Sequence, residues 1–307
     1  MTVRLILDCD IGTDVDDALA LAFALRHPDI DLRAVTTVSG DTIRRARIAK
    51  KLLLLAGRGN IEVAAGERGE QSQRHRSAEA GHEDAMLGVH DIDATAPSER
   101  DAVTLIAEIC ASGDVELATV GMQSNLAAAL AHDPGLASDI PRLAVMGGVF
   151  APVMFLGMEL PPSIDHNLNV DQPASLRALN AGIATLYVPG DVTMGTWLTR
   201  DRLETLRGGD ALCQELARQI DIWAPHIARM GRGVIPEDHV CLLHDPLTVA
   251  CMADRRFVTS TTARVTVAMH EGHVRTFIDP AAGHEAEIIT SVDAPAFADF
   301  WLETVLG

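Results

Sequence analysis

The stretch Leu7-Asp8-Cys9-Asp10-Ile11-Gly12-Thr13-Asp14-Val15-Asp16-Asp17 sets five aspartates at the end of the first apolar run of a 307-residue chain. Residues 3–7 before it read as a strand; residues 18–26 after it are almost all Ala, Leu and Phe and stop at His27-Pro28. Strand, acidic turn and a helix apolar on every side form the opening unit of a parallel α/β sheet, with Asp16 and Asp17 at the positive end of the helix. In open α/β sheets ligands gather beyond the carboxyl ends of the strands, and the turn falls there. A lone aspartate at a helix start is ordinary capping. Five like charges at one turn repel, and a hard divalent cation with oxygen ligands relieves them.

Working outward, further strand-like runs lie at 32–38, 61–65, 115–120, 143–146 and 184–188, with helical stretches between most of them. That alternation predicts an α/β fold: a single domain over residues 1–307 with a mixed, mostly parallel sheet and helices on both faces. Residues 66–97, rich in Gly, His, Glu, Arg and Ser, read as a long surface loop over the site, and 149–169 is a second irregular stretch. Residues 261–269 and 273–278 flank Glu271-Gly272 and read as a hairpin.

A net charge of −18 excludes binding nucleic acid through its phosphates, while a small neutral substrate meets no such repulsion. The cysteines Cys9, Cys110, Cys213, Cys241 and Cys251 are odd in number and lack CxxC spacing, so reduced, buried thiols are expected rather than disulfides or zinc. The acidic turn begins within eight residues of Met1 and no run approaches the roughly 20 apolar residues of a membrane span, so a cytoplasmic protein with no membrane partner is expected.

The acidic turn has a distant companion in His244-Asp245-Pro246. Between them, in order, stand Val35-Thr36-Thr37-Val38-Ser39-Gly40-Asp41, Gly121-Met122-Gln123-Ser124-Asn125-Leu126, Met146-Gly147-Gly148, Asp165-His166-Asn167 and Val188-Pro189-Gly190-Asp191-Val192-Thr193. With these seven marks the chain resembles the inosine–uridine-preferring nucleoside hydrolase family nearly end to end. The family's aspartate-rich turn, D-x-D-x-G-x-D-D, is matched by Asp8-Cys9-Asp10-Ile11-Gly12 and, after a two-residue expansion, by Asp16-Asp17-Ala18. The resemblance implies a single Rossmann-like domain and a calcium-dependent hydrolase that splits ribonucleosides into ribose and free base. Asp10, Asp17 and Asp245, with the carbonyl of Ser124, would bind Ca²⁺, and Asp10 would be the general base. Asp16 and Asn167 would hold ribose hydroxyls, with Asp41 nearby and Asp165 at the 5′ end of the sugar. His244, whose side chain ordinarily titrates near pH 6.5, would donate a proton to the leaving base, and His82 would lie on the base side. His226, Arg229, His239 and Trp223 are further candidates there. The two histidines His82 and His244 tilt the expectation toward uridine and cytidine. The family also implies a homodimer or homotetramer.

Several positions depart from the family pattern. Ile11 stands in place of proline, and Thr13-Asp14-Val15 lengthens the turn, leaving Asp14 as well as Asp16 open as the residue facing ion and ribose. Asp41 replaces an asparagine, Met122-Gln123-Ser124 replaces Pro-Leu-Thr, and Asp165 replaces a glutamate. Two rival readings follow: a catalytically weak riboside- or metal-binding homologue, and a haloacid dehalogenase-like phosphatase built on Asp8-Cys9-Asp10-Ile11-Gly12-Thr13. The phosphatase needs a downstream basic partner, and the only lysines are Lys50 and Lys51.

Overall fold

Strand β1 (Val3–Cys9) alternates strictly: Leu5, Leu7 and Cys9 enter one apolar core and Ile6 the other, as the two-residue period of a strand buried on both faces requires. The structure is a computed structural model that describes residues 2–69, 82–159, 164–231 and 233–307. On one side β1 pairs in parallel with β2 (Ile30–Thr37), which pairs with β3 (Glu62–Ala65). On the other it pairs with β4 (Glu116–Thr119), followed by β5 (Leu143–Met146). A short ribbon, β6 (Met154–Phe155) with β7 (Met158–Glu159), precedes β8 (Thr185–Val188), and β9 (Trp197–Thr199) pairs with β10 (His239–Leu242) outside the main sheet. The sheet is completed by β11 (Val258–His270), β12 (His273–Ile278) and β13 (His284–Val292).

The nine-stranded order is β12-β11-β13-β8-β5-β4-β1-β2-β3. Only β11 runs against its neighbours, so the sheet is mixed and mostly parallel, in a single α/β domain. All six strand runs read from sequence are present, and the hairpin turns at Glu271 (φ 50°) and Gly272 (φ 81°), a left-handed pair suited to a tight two-residue turn. Strand β13 is an addition to the sequence reading. Within 66–97, residues 70–81 lie outside the described residues, and Glu83–Leu87 is helical rather than loop. Within 149–169, residues 160–163 lie outside them as well.

Two helices set up the site. Asp16–Arg26 is buried from Asp16 to Leu25 and ends where His27 turns extended ahead of Pro28, a residue that disfavours helix before it. His244–Ala253 is buried from Asp245 to Met252 and packs against it. The first begins at the carboxyl end of β1, which β2 flanks on one side and β4 on the other, the crevice at which strand order reverses, and the second begins after β10. The C-terminal helix Ala294–Leu306 covers the first: Trp301 is fully buried and its Nε1 donates to the Leu19 carbonyl at 3.2 Å. No helix among the described residues is long and apolar enough to cross a membrane. All five cysteines are buried and free.

The fold makes Trp301 a structural keystone, fully buried and tied to the first helix by its indole N–H. Trp301→Ala is expected to cost about 3–5 kcal/mol in urea unfolding, whereas Val89→Ala, at a side chain 97% exposed, should stay within about 0.5 kcal/mol.

Candidate active site

The acidic turn bends at Gly12, whose φ of +118° few side chains tolerate, and a Cβ there would lie 2.6 Å from the Ile48 side chain. The bend folds the turn back so that the Asp10 amide donates to Asp17 Oδ1 at 2.9 Å. Asp16 and Asp17 occupy the first turn of their helix and Asp245 the first turn of the helix packed against it. One carboxylate oxygen from each of Asp16, Asp17 and Asp245 lies within 4.8 Å of the others, all three residues buried. Asp10 is partly exposed, and its Oδ1 would be 2.7 Å from a Cβ at Gly121, so only glycine lets the end of β4 come this close. Of the two residues left open by the lengthened turn, Asp16 joins the cluster, while Asp14 accepts from the Val15 amide.

Burial is the main reason that the carboxyls of Asp16, Asp17 and Asp245 are held well above the usual carboxylate range, and repulsion among Asp10, Asp14, Asp16 and Asp17 adds to it. Asp14 is pushed up to about 7 by the same burial and by Asp17 and Asp10. The Arg45 guanidinium and the Asp10 amide work the other way at Asp17, as main-chain amides do at Asp14 and Asp16. Beneath the turn, fully buried Asp8 rises to about 7 despite hydrogen bonds from Thr36 Oγ1 and Asn125 Nδ2, both 2.7 Å, on one oxygen. A buried, all-oxygen donor set with this much unrelieved repulsion fits a hard divalent cation.

Around the cluster, Asn167 ties the carboxyl ends of β4 and β5 together, its Nδ2 donating to the carbonyls of Val120 (2.7 Å) and Met146 (3.2 Å). Ser124 opens the helix Ser124–His132 just past Gly121, its hydroxyl donating to Asp171 at 2.6 Å. Both Asp165 oxygens accept from main-chain amides, Leu168 at 2.8 Å and Gly148 at 3.0 Å, so this carboxylate caps the short helix His166–Val170 and pins the loop after β5. Asp41 caps the helix Thr42–Leu55 through the Arg44 amide and lies 3.6 Å from the Arg44 guanidinium, which reaches Asp84 at 3.2 Å. The charge that replaces the family's asparagine is therefore paired.

On the opposite side, His82 is buried with Nδ1 3.4 Å from the Thr13 carbonyl of the acidic turn. Its ring centroid is 3.7 Å from that of His226 and 5.8 Å from that of Trp223. His82 Nε2 and Trp223 Nε1 are buried without a hydrogen-bond partner among the described residues. Arg229 donates to His226 Nδ1 at 2.6 Å. His239 belongs elsewhere, packed on Trp197 with ring centroids 5.2 Å apart and bonded to Asp238. His244 places Nδ1 2.7 Å from the buried Thr193 hydroxyl, and burial pushes its pKa down to about 4. Burial thus disfavours the charged form of the His244 imidazole.

Two contributors escape sequence reading. Thr193 lies in a quoted motif, but nothing local reveals that it meets His244. Arg45 did leave a signal: it interrupts the buried stripe Thr42, Ala46, Ala49, Leu52, Leu53 of its helix with a charge. Lys50 bonds to the carbonyls of Gly59 and Ile61, and Lys51 to Leu87 and Glu215, so neither serves the acidic turn as a phosphatase lysine would.

Known proteins resemble this chain in sequence and in fold. The pyrimidine-specific ribonucleoside hydrolase RihA of Salmonella newport is 27% identical over 316 residues, covering 99% of this chain and 98% of its own. RihA of Escherichia coli (strain ATCC 8739) is 28% identical over 85% of this chain and 82% of its own. Among solved structures, the plant nucleoside hydrolase PpNRh1 superposes with a TM-score of 0.82 at 23% identity over the whole of both chains. The purine-preferring ribonucleoside hydrolase of Gardnerella vaginalis does so with a TM-score of 0.82 at 23% identity, over 99% of this chain and 98% of its own; at such identities the likeness is one of fold. The family model described as inosine-uridine preferring nucleoside hydrolase matches residues 5–299, and the chain accordingly belongs to that family, as a hydrolase acting on N-glycosyl compounds.

Proposed function

We propose that the protein is a calcium-dependent ribonucleoside hydrolase that cleaves the N-glycosidic bond with water, releases ribose and a free base, and prefers pyrimidine ribosides. The observation that carries the reading is the meeting of the Asp16, Asp17 and Asp245 carboxylates at the strand-order crevice, with Asp10 at its open side. Asp10, Asp17, Asp245 and the Ser124 carbonyl would hold the ion. When bound, calcium supplies Lewis acidity and a fixed anchor for vicinal hydroxyls.

The protein's own residues do the rest. Asp10, the exposed member of the group, takes the proton of the attacking water as general base. Asp16 and Asn167 hold ribose hydroxyls, while Asp41 and Asp165 shape the rim by fixing the loops they cap. As the C1′–N bond stretches, positive charge grows on the sugar, and a cup of carboxylates favours it more in the transition state than in the ground state. His244, with Nδ1 against Thr193, has Nε2 for the departing base, where a hydrogen bond strengthens as the base gains electrons. Trp223 Nε1 is a donor of the kind that the carbonyl edge of uracil or cytosine accepts, while His82, with its Nδ1 proton toward the Thr13 carbonyl, offers Nε2 as an acceptor for a base N–H. The RihA relatives named pyrimidine-specific support this preference. We place the enzyme in the cytoplasm as a homodimer or homotetramer with a small ribonucleoside as its partner.

Assayed by release of reducing sugar, uridine and cytidine should turn over with higher kcat/KM than inosine, chelator should abolish turnover, and calcium should restore it; no turnover on any riboside overturns the reading. Asp10→Asn should lower kcat by about 10²- to 10⁴-fold with its unfolding midpoint unchanged. Because burial and repulsion raise the cluster's pKa values, with Asp14 at about 7, protons compete with the cation. Calorimetric calcium affinity should therefore climb from about pH 5 to about pH 8, with protons released on binding at the lower end. A pH-independent affinity would show that the cluster is not the site.

A further inference from the structure

Arg45 is among the largest fully buried side chains of the protein, 2% exposed. A guanidinium taken out of water is tolerated when its fork of donors is satisfied, and here the acceptors come mostly from main chain. Nε donates to the Ser39 carbonyl at 2.8 Å. One terminal nitrogen donates to the carbonyls of both Asp10 and Ile11, the latter at 3.0 Å. The other donates to Thr13 Oγ1 at 3.0 Å and lies 3.8 Å from buried Glu83. Ser39 is held at φ 70°, a left-handed conformation that a serine keeps only when its surroundings fix it.

The same turn is gripped from its far side. The Thr13 hydroxyl donates to Glu83 Oε1 at 3.4 Å, and the Thr13 carbonyl faces His82 Nδ1, also at 3.4 Å. A Cβ at Gly12 would come 3.3 Å from the Glu83 side chain, so turn and segment pack without a gap. Thr13 opens the stretch by which this chain lengthens its turn, and it is the residue of that stretch that touches both Arg45 and Glu83.

We propose that Arg45 is a positioning residue: it clamps the carbonyls of Asp10 and Ile11 in the acidic turn so that Asp10 and Asp17 present to the cation, and through Thr13 and Glu83 it fixes the His82 segment to that turn. The inference rests on the hydrolase reading above. It is separable from a charge effect by sign, because a cation beside the cup repels a divalent ion. A role through charge alone predicts tighter metal binding on its removal and no change in the lysine variant. A clamp predicts weaker binding in both, since lysine lacks the fork that reaches several carbonyls.

Calcium titration calorimetry on the full chain, with Arg45→Met, Arg45→Lys, Thr13→Val and Glu83→Gln beside the unmodified protein, tests this. Both Arg45 variants should bind calcium about 10- to 100-fold more weakly. Thr13→Val and Glu83→Gln, which leave the carbonyl grip in place, should bind it within about twofold yet raise KM for uridine about threefold to tenfold at similar kcat, the loss of one or two hydrogen bonds to the His82 segment. Should the Arg45 variants not fold, the KM rise in the other two carries the test, and its absence overturns the coupling. Arg45 variants that bind calcium as well as or better than the unmodified protein overturn the clamp alone. An unmodified protein that binds no calcium overturns the hydrolase reading and the role of Arg45 with it.

Discussion

Two buried helices start side by side with acidic first turns, and the electrostatic cost of that contact governs the molecule. Keeping a carboxyl such as that of Asp8 at about 7 instead of 3.8 corresponds to on the order of 4 kcal/mol if it is ionised at neutral pH. Each large apolar side chain buried along the first helix contributes about 1.5–3 kcal/mol, and Leu19, Leu21, Phe23 and Leu25 are all buried. Apolar packing of the helix pair therefore overrides carboxylate repulsion, and the fold keeps its acids close whether protons or a cation neutralise them.

The departures from the family pattern are met by local compensation. Asp41 carries a charge where the family has a neutral amide, and Arg44 lies against it. The lengthened turn brings Thr13 to Arg45 and Glu83, while Asp14 bonds to the amide that follows it. Asp165, a methylene shorter than glutamate, has both oxygens on amides of neighbouring loops. Each altered residue is engaged in backbone geometry at the cup's rim, so the differences are absorbed in the loops and leave Asp16, Asp17 and Asp245 together.

The parallel half of the sheet was legible because its strands are buried on both faces and read as short apolar runs between helices. Strand β13 was not: His284-Glu285-Ala286-Glu287 opens it, and half of it faces water, so no apolar run marks it. The acidic turn announced a charge problem by itself, since five aspartates at a helix start exceed what capping uses. Which of them converge was hidden, because Asp245 reaches Asp16 and Asp17 only through helix packing. The downward push on the His244 pKa was hidden for the same reason, being set by what packs around the ring. The meeting of His82 with His226 and Trp223 of the distant helix Ala211–Met230 leaves no periodic trace.

The docking of Trp301 over Leu19 bears on how the chain is made. The helix Asp16–Arg26 is apolar on every face, and both of its coverings, the helix of Asp245 and the helix of Trp301, lie far downstream of it in the chain. Until they are made, the growing chain carries an unshielded greasy rod with acids at its tip, and a fragment that stops short of Asp245 cannot assemble the cup.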